Sequence, residues 1–325
     1  MMTIGQIYKL AIEMGIKHDP RGEKICRKRL NGLKEKYRFL PAEEKKEFDP
    51  ERLVNPYSDT RVYFGDLKKP VKRMLVGIDI GTSELLLAKE LSRQKPIDLV
   101  MAHHPTGLGL AGLHEVMDMQ AEVLAKYGVS ISAAQGLLHV KMEEVSRTVS
   151  PINHNRAIDA AKLLGLSFLS VHTPADNLVT DYIKKTLDRE KRNIETIGDI
   201  LKILKKIPEY QAAMKLKAGP RLFAGKEGNF AGKIALTELT GGTEGSKEIY
   251  EKMAQAGIDT VIGMHMSEEH KKEAEKSHIN AIIAGHISSD SIGVNLFLDE
   301  IEKRGVEVIP CSGLIRIKRF RKRKK

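Results

Sequence analysis

Seven short apolar runs punctuate the chain: MLVGIDI (74–80), IDLVMAHH (97–104), LSFLSVH (166–172), GKIALTEL (232–239), IDTVIGMH (258–265), INAIIAGH (279–286) and VEVIPCS (306–312). Each has the length and continuous hydrophobicity of a strand covered on both faces. Between most of them, apolar residues recur at helical spacing, over 84–93, 113–127, 245–256, 267–277 and 291–304. Strand and helix in alternation predict an α/β fold with helices packed on central sheets. From about 177 to 220 the chain is Lys-rich and helical in pattern with no strand run, so a divide between two related α/β halves is expected there.

Residues 1–52 differ in character. Ile4, Ile7, Leu10, Ala11 and Met14 fall at helical spacing and a highly charged run follows, which predicts a helical basic N-terminal extension. The α/β domain is then expected over 53–318, with a basic tail at 319–325. Charge follows this division. The formal charge of the 325 residues is +11, which taken whole suggests an anionic partner. Residues 1–52 hold 13 basic and 9 acidic side chains, residues 316–325 hold 8 basic and none acidic, and residues 53–315 are nearly balanced at 33 and 34. The excess belongs to the two ends, so nucleic acid is a weak expectation tied to them, and a solvated terminus is the plainer reading of the tail.

Composition excludes several classes. At 41% hydrophobic and 30% charged residues, the chain has the balance of a globular protein. No apolar stretch approaches the roughly 18–20 residues of a membrane span, and no signal peptide or membrane anchor is expected. Cys26 and Cys311 are the only cysteines, which rules out a disulfide framework or a thiolate metal cluster and suggests a reducing, cytoplasmic setting. A metal would have to be held by carboxylates and by some of the 11 histidines.

Four of the apolar runs end in histidine, at His103-His104, His172, His265 and His286. Ligands of open α/β sheets collect beyond the carboxyl ends of the strands, so these histidines can converge from distant segments. Two are followed four residues later by a carboxylate, Asp176 and Asp290. That donor set suits Zn, Mn, Fe or Co. Adjacent side chains of a continuing strand point to opposite faces, so His103 and His104 could not share one ion; a bend at the strand end, which Pro105 favours, lets each face a different ion of a pair. A dinuclear centre is the natural reading, the alternative being that one of the two histidines is simply buried.

DLVMAHHPTG, VHTPADN and AGHISSDSIG, in this order, resemble the three signatures of the Nif-three-like dinuclear metal proteins, also called the GTP cyclohydrolase type 2 family. The similarity spans about 53–318. It implies two divalent ions held by His103, His104, Asp176, His286 and Asp290, with His172 and His270 lining the same cleft, and a ring-shaped homohexamer. The family usually has Glu where this chain has Asp290. The shorter side chain leaves open whether it bridges both ions, binds one, or works through water.

Two further motifs stand apart. GIDIGTSE (77–84) looks like one phosphate loop of actin-like ATPases, but the second loop that fold needs is missing; a helix capped by Thr82 or Ser83 is the simpler expectation. TGGTEGSKE (240–248) sets glycines and hydroxyls before a helix, where main-chain N–H groups can hold phosphate, but lacks the ending of a P-loop. Two functional readings remain. One is a metal-dependent hydrolase of a nucleotide-like or phosphorylated small molecule, with His172 or His270 moving a proton. The other is a metal-stabilised interaction module.

Overall fold

The computed structural model describes residues 1–320. All seven apolar runs form strands. In chain order the strands are β1 (Met2–Thr3), β2 (Arg61–Phe64), β3 (Pro70–Val71), β4 (Arg73–Gly77), β5 (Leu99–Ala102), β6 (Phe168–Ser170), β7 (Arg221–Ala224), β8 (Ile234–Glu238), β9 (Thr260–Gly263), β10 (Asn280–Ile283) and β11 (Glu307–Cys311). They build a five-stranded sheet, β11-β4-β5-β6-β2, a four-stranded sheet, β7-β10-β9-β8, and a small β1-β3 pair. In each large sheet one edge strand, β2 or β7, runs antiparallel and the other strands are parallel.

Both faces of both sheets are covered, which is why the strands read as continuous apolar runs. Along β4 and β5, Met74, Val76, Leu99 and Met101 join one core cluster, while Leu75, Val100 and Ala102 join another on the opposite face. In the second sheet Ile262 and Ile282 face one way, and Val261 and Ala281 the other. The outer face of the five-stranded sheet is covered by helices Thr82–Leu91 and Arg156–Leu164, through Leu85, Ala88, Ile158 and Ala161.

The inner faces of both sheets share one layer of helices. Thr173–Glu190 sends Ala175 and Leu178 into the core of the first sheet and Val179, Ile183 and Leu187 into that of the second. His286–Lys303 does the same through Val294, Phe297 and Leu298 on one side and Ile292 on the other. A helix packed between two sheets must be apolar over most of its circumference, and the helical pattern of these segments is correspondingly weak. Each of the two helices starts directly where an inner strand ends, β6 and β10 respectively, so their N-termini meet at the carboxyl edges of both sheets.

Both chain ends are tied into this body more closely than their composition suggests. Helix Ile4–Lys17 buries Ile4, Ile7 and Ala11 in the core of the first sheet. Residues 1–52 are therefore packed onto the body, and of their charges Asp19 and Arg21 are buried as an ion pair at 2.9 Å. At the other end, Arg319, expected to open a free tail, chelates the buried Glu209 at 2.6 and 2.7 Å. Arg316 reaches Asp299 at 2.5 Å and also Glu302, which Lys318 contacts at 2.7 Å. Buried carboxylates demand cations, and the sequence pattern gave no sign that Glu209 and Glu302 would be inside. The rest of the expected tail, from residue 321, lies outside the described residues.

Candidate metal centre

The chain bends as β5 ends. The His103 N–H donates to the Gly77 carbonyl at 2.9 Å and the His104 N–H to that of Ile78 at 3.0 Å, and the two imidazoles come to lie on one side with ring centroids 5.1 Å apart. Each ring is then fixed from behind. His103 Nδ1 donates to the Val171 carbonyl at 3.0 Å, and His104 Nδ1 to Asp79 at 2.7 Å. Asp79 belongs to the GIDIGTSE turn, whose helix is capped not by Thr82 or Ser83 but by Glu84, accepting the Gly81 N–H at 2.8 Å. His172, ending β6, is held the same way, with Nδ1 on Asp59 at 2.7 Å. Three histidines thus turn their Nε2 atoms toward a common point.

The carboxylates arrive on the central helices. Asp176 sits in the first turn of Thr173–Glu190 and Asp290 in the first turns of His286–Lys303, where the helix N-terminus favours negative charge. Asp290 is the shared member. Its Oδ1 is 3.6 Å from Nε2 of His103, and its Oδ2 is 3.4 Å from Nε2 of His104 and 3.6 Å from that of His286. Asp176 Oδ1 is 3.4 Å from His103 Nε2. Donor atoms therefore gather into His103–Asp176–Asp290 and His104–His286–Asp290, each set lying within 4.8 Å.

These spacings are too long for hydrogen bonds and have another meaning. Tetrahedral ligands at about 2.1 Å from a zinc-like ion lie roughly 3.4 Å from one another, close to the 3.4–3.6 Å found around Asp290 and His103. His103 Nε2, Asp176 Oδ1 and both Asp290 oxygens are buried without a hydrogen-bond partner among the described residues. Leaving such groups unpaired is costly, and a cation between them satisfies all four at once. The donor set fits a metal.

Electrostatics agree with a cluster built around opposite charges. Burial pushes the Asp176 carboxyl well above the usual range, and the neighbouring Asp290 and Asp59 push it the same way. Burial acts on Asp290 likewise, but His103, His104 and His286 outweigh it and hold that carboxylate low. His103 is depressed by burial. Burial also opposes protonation of His104, yet Asp290 and Asp79 lift it to about 9.

The residue set recognised in the sequence does not converge completely. His103, His104, His172, Asp176, His286 and Asp290 come together. His270 does not: its Nδ1 meets the Ser267 hydroxyl at 2.6 Å and its Nε2 donates to the Gly245 carbonyl at 3.0 Å, which ties both nitrogens to the 244–267 region. Its place beside the cluster is taken by His265, with its ring 5.0 Å from that of His286. A cleft opens over the cluster, lined by His172, Glu238, Thr240, Gly242, His265 and His286. The TGGTEGSKE loop thus borders the site. Asp59 and Glu238 were missed, since one is an isolated acid in an irregular segment and the other a strand-end glutamate like many.

The family model Duf34/NIF3 (NGG1p interacting factor 3) matches residues 141–312. The chain belongs to the Duf34/NIF3 family. The matched stretch contains His172, Asp176, His286 and Asp290; His103 and His104 precede it and join them through the fold. A NIF3 superfamily protein from Sphaerobacter thermophilus, known from its crystal structure, is similar over 96% of this chain and 99% of its own, with 26% identity and a TM-score of 0.76. Reduced HcgD from Methanocaldococcus jannaschii shares the fold, covering 83% of this chain and 97% of its own at 16% identity and a TM-score of 0.50. No curated protein matches. Among the described residues of this Duf34/NIF3 chain, no helix is long and apolar enough to cross a membrane.

Proposed function

We propose that this Duf34/NIF3 chain is a metal-dependent hydrolase acting on a nucleotide-like or phosphorylated small molecule, with two divalent ions held by His103, His104, Asp176, His286 and Asp290. The observation that carries the reading is Asp290, whose two oxygens face two different donor sets. The helix that carries it packs closely against Thr173–Glu190 at Gly293 and Ala175, an approach that would let the shorter side chain serve both sets. Ions so held, of a kind suited to histidine and carboxylate such as Zn, Mn, Fe or Co, would supply Lewis acidity and an activated water.

The chain's own groups account for the rest. His172, fixed through Nδ1, presents Nε2 to the cluster, where it either ligates an ion or, left unligated, takes and returns a proton. His270, the other candidate, has both nitrogens engaged by Ser267 and Gly245, and the reading therefore favours His172. Thr240 and Gly242 border the cleft where the non-reacting part of a substrate would rest. Ring opening of a purine, as in GTP cyclohydrolase type 2, is one reaction within this class. A homohexamer and residence in the cytoplasm belong to the same proposal, the latter resting on the two unpaired cysteines.

The test is metal content with turnover. Purified full-length protein should hold about two ions per chain, lose them in His103→Ala, and hydrolyse members of a nucleotide and phosphoester panel only when loaded. Retained metal without turnover across the panel would replace the hydrolase with a metal-stabilised interaction module.

A further inference from the structure

We propose that Asp59 is a positioning residue that fixes His172 as a sixth ligand of the metal centre, an inference that rests on the metal reading of this site. Asp59 lies in the irregular segment before β2 and is wholly buried. Its Oδ2 accepts from His172 Nδ1 at 2.7 Å and from the Thr173 hydroxyl at 2.6 Å. The surrounding chain is clamped to the same spot. The Asp59 carbonyl accepts from the Ser170 hydroxyl at 3.1 Å, and the Thr60 hydroxyl accepts the His172 N–H at 3.0 Å.

This arrangement decides which nitrogen of His172 is available. A carboxylate can only accept, so in the neutral ring the hydrogen sits on Nδ1 and the lone pair on Nε2. Nε2 points into the cluster, 3.8 Å from Asp176 Oδ2. Nitrogens of His103, His104 and His172 lie within 4.8 Å of one another, a third set of donors beside the two that share Asp290. Val171 O and Asp79 do for His103 and His104 what Asp59 does for His172. Of the three acceptors, only Asp59 is a buried carboxylate, and such a partner both orients a histidine and strengthens its ligating nitrogen. A residue needed only to close the fold at this place would be served by the Thr60 and Ser170 hydrogen bonds alone.

The experiment is zinc binding by chelator competition on the full chain, comparing wild type with Asp59→Asn, His172→Gln and the double variant. Asp59→Asn should weaken zinc binding by roughly 10–100-fold, the usual effect of losing a ligand-orienting partner, and His172→Gln by at least as much. The double variant should lose no more than His172→Gln alone, because Asp59 acts through that ring. Equal affinity of Asp59→Asn and wild type, or losses that multiply in the double variant, would overturn the inference while leaving the metal reading intact. Absence of zinc binding by the wild type would overturn both. Should Asp59→Asn fail to fold, nitrogen NMR of the metal-free wild type decides: protonated Nδ1 with bare Nε2 on His172 is expected, and zinc should shift Nε2. The opposite tautomer, or an Nε2 indifferent to zinc, would sink the proposal.

Discussion

Gly293 of one central helix is pressed so closely against Ala175 of the other that a Cβ added to it would lie 2.1 Å from the Ala175 carbonyl oxygen. That crossing sits one residue from Asp176 and three from Asp290, so the approach of the helix backbones sets the separation of the two carboxylates. Gly293→Ala must push the helices apart. Overpacking of this kind costs about 1–3 kcal/mol or more, and here the displacement falls on the metal ligands. A lowered Tm together with weakened metal binding is expected, read by thermal unfolding with and without added zinc. A variant that unfolds earlier yet binds zinc like wild type would show that the crossing does not govern the site.

Asp290→Asn keeps the shape of the side chain but replaces one oxygen with an amide nitrogen that cannot ligate in the same way. Because both oxygens face histidines of different sets, this change should reduce the ion count per chain as well as the affinity. A loss of at least roughly 100-fold is expected, beyond the 10–100-fold that outer partners alone produce. Elemental analysis after dialysis checks it.

Metal loading should expel protons. In the metal-free fold His104 is raised from 6.5 to about 9, where Asp290 and Asp79 outweigh burial. Its charged form therefore stabilises that fold fully below pH 6.5, and the contribution is lost as pH rises through about 9. A metal takes only the neutral ring, so binding at neutral pH must displace this proton, and apparent affinity should climb until the ring is neutral beforehand. Calorimetry in buffers of different protonation enthalpy should record at least one proton released per chain at neutral pH and fewer in strongly alkaline buffer. Release that does not vary with pH would contradict the assignment.

Arg319→Ala leaves Glu209 buried and deprived of its bidentate partner. Removing one member of a buried pair typically costs about 3–5 kcal/mol, partly relieved here because Asn295 still donates to Glu209 at 2.8 Å. The urea midpoint should fall clearly. Glu209→Gln in the same background should recover part of the loss, since it removes the uncompensated charge.

Element types were legible because their causes are local. The apolar runs became strands, and the intervening helical patterns became helices, with their ends shifted by a few residues where caps such as Glu84 lay outside the hydrophobic pattern. His103, His104, His172, His286, Asp176 and Asp290 were legible for a related reason: each stands at a strand end or in the first turns of the helix that follows, where the α/β arrangement puts ligands. His270 was misplaced because sequence nearness to a strand end does not say which way a helix turns its side chain, and Ser267 and Gly245 turn this one inward. Asp59 carried no signal at all, since its partner lies 113 residues away.

By itself, then, the sequence determined the alternation of strand and helix, the donor types available to a metal, and the concentration of basic charge near the ends, all of which follow from periodicity, side-chain chemistry and counting. Only the tertiary structure decided that two sheets share one helix layer, that Asp290 serves two donor sets, that Asp59 stands behind His172, and that Arg316 and Arg319 are spent on buried carboxylates. Those are matters of ångströms between distant segments, set by how closely backbones can pack, as Gly293 allows at Ala175.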